Sequence, residues 1–413
     1  MATTPTEPPD SSHNLAHAHG MSRPRPSPLE AAIGFVTSLQ LTIVCLAIGM
    51  VLIFVGTLAQ VQLGIDQALK MYFHSFIVWW SPPDASWRIP IMPGGFLVGG
   101  VLLINLVAAH FYRFTWTWRK SGIWLVHVGI IVLLLGELFT AALSRESALR
   151  LSEGETKNFS EAYRGTELAV IDHSLPDRDR VLAVAEDGLA AGKSIQHPAL
   201  PFRIQVHAFY GNSRIIRRGS NTGALPAPLA TQGMGTDLTA QETERTPRMD
   251  ERDISAAWIE IFVPEGSLGT WMVSNVFQQR QGFTYAGRDY SVELRQQRHY
   301  KPYAITLLDF THDRYPGTEI PRNFSSRVRL VDPTRGEDRE LLIYMNHPLR
   351  HDGLTFYQSG YEGEFTTILQ VVKNPSRHLP YISCILVGLG LVVQFSIHLT
   401  GFVRRRKSLP ATP

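Results

Sequence analysis

Four long apolar runs constrain the fold more than any other feature of this 413-residue chain. They cover 41–59, 91–111, 122–143 and 379–399, and Glu137 interrupts the third. Each is long enough for a helix to cross about 30 Å of hydrocarbon. We therefore expect four transmembrane helices, three before and one after a long polar segment, and we exclude an ordinary soluble enzyme.

Basic residues predict the side of the membrane on which each connection lies. The link between the second and third runs is basic, and so is the stretch at 404–407 after the fourth run. The basic residues of the link are Arg113, Arg119 and Lys120. Such clusters mark cytoplasmic segments. We expect both termini in the cytoplasm, and we expect the loop 61–90 and the segment 144–378 outside the membrane.

The segment 144–378 alternates apolar and polar residues, which is the period of half-buried strands. Clear examples are FRIQVH at 202–207, WIEIFV at 258–263, YSVELR at 290–295 and SRVRLV at 326–331. Hairpin turns are predicted at 285–290 and 332–338. Residues 213–253 are rich in Gly, Pro, Thr and Gln without periodicity, which predicts a mobile insert. The expected fold class is an α+β membrane protein with a large β-rich extracytoplasmic domain between the third and fourth helices.

Composition excludes several classes of site. The two cysteines, Cys45 and Cys384, both lie in apolar runs, so the outer segment has no thiols for a disulfide or a zinc site. The net charge of +3 is spread along the chain and gives no support for nucleic-acid binding. We expect a disordered cytoplasmic tail at 1–34 and a basic cytoplasmic tail at 400–413. The first apolar run is interpreted as a retained helix rather than a signal peptide.

Three histidines in the apolar runs are candidate cofactor ligands. His110, His127 and His398 lie at a similar predicted depth toward the cytoplasmic side. A neutral imidazole can ligate haem iron, so they are candidates for holding a non-covalent haem b. Alternatively, such a histidine bonds a neighbouring helix or reaches the lipid headgroups, which is favoured for His110 and His398. His127 lies deeper in the run, where an ionisable residue is a functional candidate.

Among the outer histidines, only His347 and His351 have a spacing typical of metal ligands, and the proline between them argues against a helical ligand pair. Most outer histidines are expected at the surface. His74 and His378 are exceptions, because each adjoins the outer end of an apolar run and could meet a cofactor there. Aromatic residues crowd the stretch 72–87. They are typical of an interfacial belt, with a platform for haem or for a protein partner as the alternative.

Six stretches, taken in order and with their spacing, resemble the ResB/CcsB family of cytochrome c biogenesis proteins (system II). They are VGTLAQ at 55–60, LINL at 103–106, GIWLVHVGIIVLLLG at 122–136, PGTEIPRNFSS at 316–326, YMNHPLRHDGLTFYQ at 344–358 and NPS at 374–376. The resemblance extends over roughly 35–405 and includes the order of helices and outer domain. None of the motifs is catalytic in type.

The resemblance implies a role in attaching haem to apocytochrome c outside the bacterial cytoplasmic membrane. It implies a ResC/CcsA-type membrane partner that carries a tryptophan-rich haem-binding loop, which this chain lacks. His127 matches the family's membrane histidine that helps to ligate haem, and the partner supplies the second ligand. The chain would thus be an accessory subunit of a haem-attachment complex without catalytic residues of its own. The stretch 344–358 is a candidate partner or substrate surface through Tyr344, Asn346, Pro348, Leu349, Phe356, Tyr357 and Gln358; alternatively, it is a sheet edge leading to the last helix.

Two other classes of function remain open. One is a membrane b-type cytochrome subunit for electron transfer, which the histidines at one depth would suit. The other is a membrane-tethered protein scaffold that holds no haem. Haem content and reactivity toward quinol distinguish these classes from cytochrome c biogenesis.

Overall fold

The computed structural model describes residues 27–82, 87–176, 178–217, 230–246, 252–277, 279–317 and 321–407. Its helices are α1 (Pro28–Val36), α2 (Leu39–Ala68), α3 (Gly95–Tyr112), α4 (Ser121–Leu143) and α5 (Leu379–Lys407). Among the described residues, four helical stretches are long and apolar enough to cross a membrane. These are Leu39–Ile65, Gly95–Tyr112, Trp118–Leu143 and Leu379–Arg406. The prediction of four candidate membrane helices together with a large β-rich domain is confirmed.

Two predicted boundaries on the N-terminal side are wrong. Residues 28–34 were predicted as part of a disordered tail, but they belong to α1, which begins with a capping box between Ser27 and Glu30. Residues 1–26 of that tail lie outside the described residues. The second apolar run was predicted as helical from residue 91, but residues 89–93 form a strand and α3 begins at Gly95. The prolines of this stretch explain the delay, because they suit a short edge strand better than a helix interior.

Helices α4 and α5 pack closely along a row of glycines. Gly122, Gly129 and Gly136 of α4 are all buried. A Cβ atom at Gly122 would lie 2.5 Å from both the Gln394 nitrogen and the Gly390 oxygen of α5. The hydroxyl of Ser383 donates a hydrogen bond of 2.8 Å to the Gly129 carbonyl. Small residues let the two backbones approach, which is typical of helix pairs in membranes.

Asn105 of α3 forms hydrogen bonds to the residues at the break between α1 and α2. Its side chain is 2 % exposed and accepts a hydrogen bond of 2.6 Å from the Thr42 hydroxyl. Its amide nitrogen donates to the carbonyls of Val36 and Ser38, at 2.6 and 3.1 Å. These bonds satisfy backbone groups that a helix break leaves without partners, so the asparagine fixes how α1 and α2 meet α3.

Except for a short hairpin between α2 and α3, the strands lie between α4 and α5. In chain order they are β1 (Ile77–Trp80), β2 (Ile89–Pro93), β3 (Arg145–Ser152), β4 (Thr156–Asp172), β5 (Arg180–Ala185), β6 (Ser194–Ile195), β7 (Arg203–Tyr210), β8 (Ser213–Arg217), β9 (Leu238–Glu242), β10 (Ala256–Val263), β11 (Gly266–Ser274), β12 (Gln281–Tyr285), β13 (Arg288–Arg314), β14 (Pro321–Asp332), β15 (Glu337–Tyr344), β16 (Leu349–His351), β17 (Leu354–Glu362) and β18 (Thr366–Lys373). The four alternating stretches fall in β7, β10, β13 and β14, so their prediction as strands is confirmed. Both predicted hairpin turns are also present, between β12 and β13 and between β14 and β15.

Among the described residues, the largest sheet has ten antiparallel strands. Its main order is β15-β14-β13-β4-β3-β18-β17-β16, with β12 paired to β13 and β5 paired to β4. A four-stranded sheet has the order β11-β10-β7-β6. The long strands β4 and β13 pair along most of their length, with register shifts in the middle. They therefore join the two parts of the β-rich domain.

Two separate apolar cores correspond to these two parts. Leu168, Ile204, Ile259 and Val292 belong to the core between the four-stranded sheet and one end of the large sheet. The second core lies at the other end of the large sheet and contains Leu149, Leu307, Leu330 and Leu369. Burial of the large aliphatic side chains in these two cores provides the main stabilisation of the β-rich domain.

The predicted insert at 213–253 contains regular structure. Strands β8 and β9 pair as a hairpin from Ser213↔Glu242 to Arg217↔Leu238. Ile215 packs against a small buried cluster that includes Trp258 and Met272. Residues 218–229 and 247–251 of the insert lie outside the described residues. The absence of periodicity in the sequence therefore did not exclude strands, because the hairpin is stabilised by packing on the sheet.

Candidate functional site

His127 of α4 has one ring nitrogen fixed by its own helix. The Nδ1 atom lies 2.8 Å from the carbonyl oxygen of Ile123, one turn earlier. A carbonyl oxygen only accepts hydrogen bonds, so Nδ1 carries the proton and Nε2 keeps its lone pair. A histidine in this tautomer is prepared to ligate a metal through Nε2, and a bond from the other nitrogen sets the ring orientation.

His110 of α3 lies beside His127. The two ring centroids are 6.4 Å apart and the ring planes differ by 33°. Phe114 stacks on His110 at 5.3 Å, and the Trp124 ring lies 5.7 Å from His110. The two imidazoles thus share an aromatic environment between α3 and α4.

His398 is engaged in a different contact. The side-chain amide of Gln394 donates a hydrogen bond of 2.9 Å to His398 Nε2. Gln394 also accepts from the Ile123 amide at 3.2 Å and donates to the Arg119 carbonyl at 3.3 Å. His398 therefore lies near the same end of α4 as His127, but its ring nitrogen is paired within α5. Of the three sequence candidates, the structure brings His110 and His127 together.

An apolar groove of about 520 Å³ runs along α3, the helix that also carries His110. Val107, one of its lining residues, lies one turn before His110 on the same helix. The lining residues are Leu103, Ile104, Val107, Ala108, Phe111 and Tyr112. Within the described ranges, no group of three or more His, Cys, Asp or Glu side chains is placed to hold a metal ion. The donors here are imidazole nitrogens in apolar and aromatic surroundings, which fit a haem better than a fully protein-ligated ion.

The outer histidines differ from the prediction in one important case. His351 was expected at the surface, but it is 5 % exposed, with Nε2 2.9 Å from Asp332 Oδ2. The Tyr303 ring meets the imidazole edge-on at 4.6 Å. The Thr334 hydroxyl, together with His351, lowers the pKa of Asp332 to about 2. The burial pattern of β16, with Leu349 and His351 inside and Arg350 outside, explains this position.

His74 and His378 have local contacts at the ends of the helices. His74 stacks on Phe96 of α3, with the ring centroids 5.4 Å apart. Arg377 donates a hydrogen bond of 3.1 Å to His378 Nε2. Trp79, Trp80 and Trp87 around the β1–β2 hairpin are between 41 and 55 % exposed. They present an aromatic surface, which suits either of the two interpretations given for the outer loop.

The candidate surface at 344–358 is only partly a surface. Leu349 and Phe356 are 6 and 0 % exposed and belong to the second apolar core, so these two residues were wrongly included. Tyr357 is exposed, because side chains alternate between the two faces of the strand around Phe356, and Asn346 is exposed in the turn after β15. Gln358 bonds Thr367 at 2.8 Å within the sheet. Tyr344 and Pro348 are half-buried.

Known proteins resemble parts of this chain. The ResB-like family matches residues 261–367, about a quarter of the chain. Protein NrfI of Wolinella succinogenes is 25% identical over 297 residues, which cover 71% of this chain and 29% of NrfI. The cytochrome c biogenesis protein CcsB of a Synechococcus strain is 36% identical over 77 residues, which cover 19% of this chain and 17% of CcsB. CcsB of Prochlorococcus marinus is 37% identical over 78 residues, with 18% and 17% covered.

The chain thus spans less than a third of the length of these relatives. The stretches at 316–326 and 344–358 that suggested the family from the sequence fall within the family match at 261–367. The resemblance to the ResB/CcsB family is confirmed.

Proposed function

We propose that this ResB-like chain is a membrane subunit of the system II cytochrome c maturation complex, which helps to deliver haem and to attach it to apocytochrome c. The names of the CcsB relatives support a role in cytochrome c biogenesis. The observation that carries the proposal is the histidine pair. His127 keeps its Nε2 lone pair, and His110 lies 6.4 Å away on the neighbouring helix.

The residues of this site fit a haem b held without a covalent bond. His127 would hold the haem iron through Nε2, and His110 is the nearest other histidine that could contribute when the chain is alone. His398 is a weaker candidate, because Gln394 occupies its Nε2 atom. In the complex, a ResC/CcsA-type partner would supply the second ligand. When bound, haem supplies the iron and the vinyl groups to which the cysteine thiols of apocytochrome c become linked.

The chain's own residues would hold and orient the cofactor rather than perform the reaction. The Ile123 carbonyl accepts a hydrogen bond from His127 Nδ1, which orients the ring and leaves Nε2 as the nitrogen available to a ligand. Phe114 and Trp124 pack against the His110 ring and hold it in place beside His127. The β-rich domain would position the apocytochrome at the outer side of the membrane, where haem is delivered, which raises the effective concentration of the reacting groups. The chain is therefore proposed as an accessory subunit and not as a stand-alone synthase.

The proposed orientation in the bacterial cytoplasmic membrane follows from the basic residues. Arg113, Arg119 and Lys120 connect α3 to α4, and basic residues end α5, so both are assigned to the cytoplasm. Both termini are then inside, with three helices before and one after an extracytoplasmic β-rich domain. His110 and His127 would lie toward the cytoplasmic side of the bilayer. The exposed Tyr357 and Asn346 would be available to a protein partner outside.

Deletion of the gene tests the proposal. We expect covalent haem staining of c-type cytochromes to be lost, whereas the spectrum of b-type haem stays. A plasmid copy of the wild-type gene should restore the staining. Normal holocytochrome c in the deletion strain would overturn the assignment.

A b-type cytochrome subunit is the second candidate, because two histidines of one chain face each other across two helices. That function predicts stoichiometric haem that resists extraction and is reduced by quinol. Substoichiometric haem that exchanges with added haem supports the biogenesis role instead.

A further inference from the structure

The β-rich domain joins α4 and α5 at a junction that carries three cationic side chains. Strand β3 begins with Arg145, two residues after the end of α4, and β18 ends with Lys373, six residues before α5. The turn that follows β18 is tied to α4. Asn374 donates to the Thr140 hydroxyl at 3.3 Å, and the hydroxyls of Thr140 and Ser376 lie 3.1 Å apart. The first residues of β3 and the last of β18 therefore lie where the helix pair meets the domain.

Arg145 and Lys373 are direct cross-strand partners. Their side chains leave the same face of the sheet, and like charges opposite each other destabilise a strand pair. Within the described part of the chain, neither side chain has a hydrogen bond or an ion pair. The pairing of two cations without a carboxylate is an unfavourable arrangement that a bound anion would relieve.

Lys301 adds a third, half-buried cation. Its ammonium donates to the Ser160 hydroxyl at 2.7 Å and to the His299 carbonyl at 2.9 Å, and both partners are neutral. An ammonium has three donors, so one remains for another ligand. Burial lowers the pKa of Lys301 to about 8, which reflects the cost of placing this charge away from water.

Ser147 connects Lys301 to the junction. Its hydroxyl donates a hydrogen bond of 2.8 Å to Ser160, the residue that Lys301 also bonds. Ser147 lies two residues after Arg145 on β3, so both side chains leave the same face of the sheet. Burial, together with the positive charges of Lys301 and Arg145, lowers the pKa of His299.

The nearest carboxylates of the neighbouring strands are engaged elsewhere. Glu161 pairs with Arg298 at 3.3 Å, and Glu167 pairs with the buried Arg295 at 2.9 Å. Glu146 accepts a hydrogen bond of 2.9 Å from Gln370. Among the described residues, Arg145, Lys301 and Lys373 therefore have no carboxylate partner.

We propose that Arg145, Lys301 and Lys373, hereafter the junction cations, form a binding site for an anionic oxygen group at the level where the domain meets the membrane helices. The chemistry suits a phosphate or a carboxylate, since both offer several charged oxygens to ammonium and guanidinium donors. An anionic phospholipid headgroup supplies the first, and a propionate of a haem that has reached the outer side of the membrane supplies the second. The propionate as ligand rests on the proposed function, whereas the lipid headgroup as ligand does not.

The experiment uses the full chain in nanodiscs that contain phosphatidylglycerol and phosphatidylcholine. Native mass spectrometry measures which lipid stays bound after the protein is released from the nanodiscs. The variants are Arg145→Gln, Lys301→Gln and Lys373→Gln, and circular dichroism checks that each folds. The matched control is Lys157→Gln in the same domain, because the Lys157 ammonium is already paired with Glu155 at 2.8 Å. A second arm titrates the same proteins with haem and with haem dimethyl ester, which has no free carboxylates.

If the ligand is a lipid, each junction variant should prefer phosphatidylglycerol over phosphatidylcholine about five-fold less than wild type does. This fold-change corresponds to about 1 kcal/mol, the contribution of one basic residue at a membrane surface. For a propionate ligand, the variants should weaken the binding of haem but not of its dimethyl ester. Lys157→Gln should change neither. The proposal is overturned if the junction variants behave as wild type in both arms, or if the control loses as much as they do. Failure of wild-type protein to bind any haem would contradict the proposed function, whereas the lipid arm would still test this site.

Discussion

The imidazoles of His110 and His127 face each other across α3 and α4, with ring centroids 6.4 Å apart. The two residues are separated by the basic link that we assign to the cytoplasm, so their helices run in opposite directions and meet near this link. His127 is oriented by its own helix through Ile123, whereas His110 is held by the stacked Phe114. Two independent local contacts therefore position the two rings beside each other.

Removal of His127 should remove bound haem. Loss of an outer-shell partner alone costs about 10- to 100-fold in metal affinity, so we expect His127→Ala to lose at least that much. The measurement is the Soret absorbance per mole of purified complex, with and without added imidazole. Imidazole should restore part of the absorbance, because it can enter the space that the side chain leaves.

The matched variants separate the three candidate histidines. We expect His110→Ala to weaken haem binding in the isolated chain, and His398→Ala to have a small effect because this ring is paired with Gln394. His197→Ala, at an exposed outer position, serves as the control. Equal haem content in the His127→Ala and His197→Ala proteins would show that the ligand lies elsewhere.

A side chain at Gly122 should separate α4 from α5. A Cβ atom there would lie 2.5 Å from backbone atoms of both Gln394 and Gly390, which have no freedom to rotate away. We expect Gly122→Ala to cost about 1–3 kcal/mol through this overpacking and to lower the haem content, because Gln394 also contacts the turn before His127.

The control for Gly122 is Gly388→Ala on α5, where a Cβ atom would meet nothing within 4 Å. Alanine normally favours a helix by about 1 kcal/mol over glycine, so this control should be neutral or stabilising. The melting temperature in detergent measures both variants. Melting of Gly122→Ala at or above the wild-type temperature would contradict the close packing of the two helices.

The buried Asp332–His351 pair should make part of the stability depend on acid pH. The pKa of Asp332 is held at about 2, below its ordinary value of 3.8, first by the Thr334 hydroxyl and then by His351. The ionised group therefore stabilises the fold fully above about pH 4, and this contribution is lost as the pH falls toward 2.

We expect Asp332→Asn to lower the melting temperature by several degrees at neutral pH, with a difference from wild type that shrinks between pH 4 and 2. Asp338→Asn is the control, because its ion pair with Arg329 is exposed to solvent and contributes little. If the Asp332→Asn deficit stayed constant down to pH 2, the carboxylate would not be the stabilising group.

Much of the β-rich domain could be predicted from the sequence, because the alternation of side chains depends only on local order. The turn before β13 is an example, since Ala286 and Gly287 adopt φ angles of 49° and 72° and connect Tyr285 to Arg288. The β8–β9 hairpin was missed, since its strands are short and far apart in the chain. Their stability depends on packing against Trp258, which the local pattern does not contain.

The candidate site could be predicted only in part for the same reason. Helical rise placed His110, His127 and His398 at a similar depth. It did not predict which rings would meet, because that depends on how α3, α4 and α5 pack. The junction cations were missed entirely, since Arg145 and Lys373 are 228 residues apart and become neighbours only through the register of β3 with β18.

Alkaline pH should reveal the cost of burying Lys301. Its pKa of about 8 in the folded protein lies below its ordinary value of 10.5, so the unfolded chain binds more protons between these values and stability rises with pH there. Below about pH 8 the ammonium is charged in both the folded and the unfolded state, so the full cost of burying it is present.

In neutral detergent without anionic lipid, we expect the free energy of unfolding of wild type to rise by roughly 1–3 kcal/mol relative to Lys301→Gln between about pH 7 and 10. Thermal unfolding measures the difference, with Lys157→Gln as the control. A difference from Lys301→Gln that does not change with pH would mean that the lysine is not buried as a charged group.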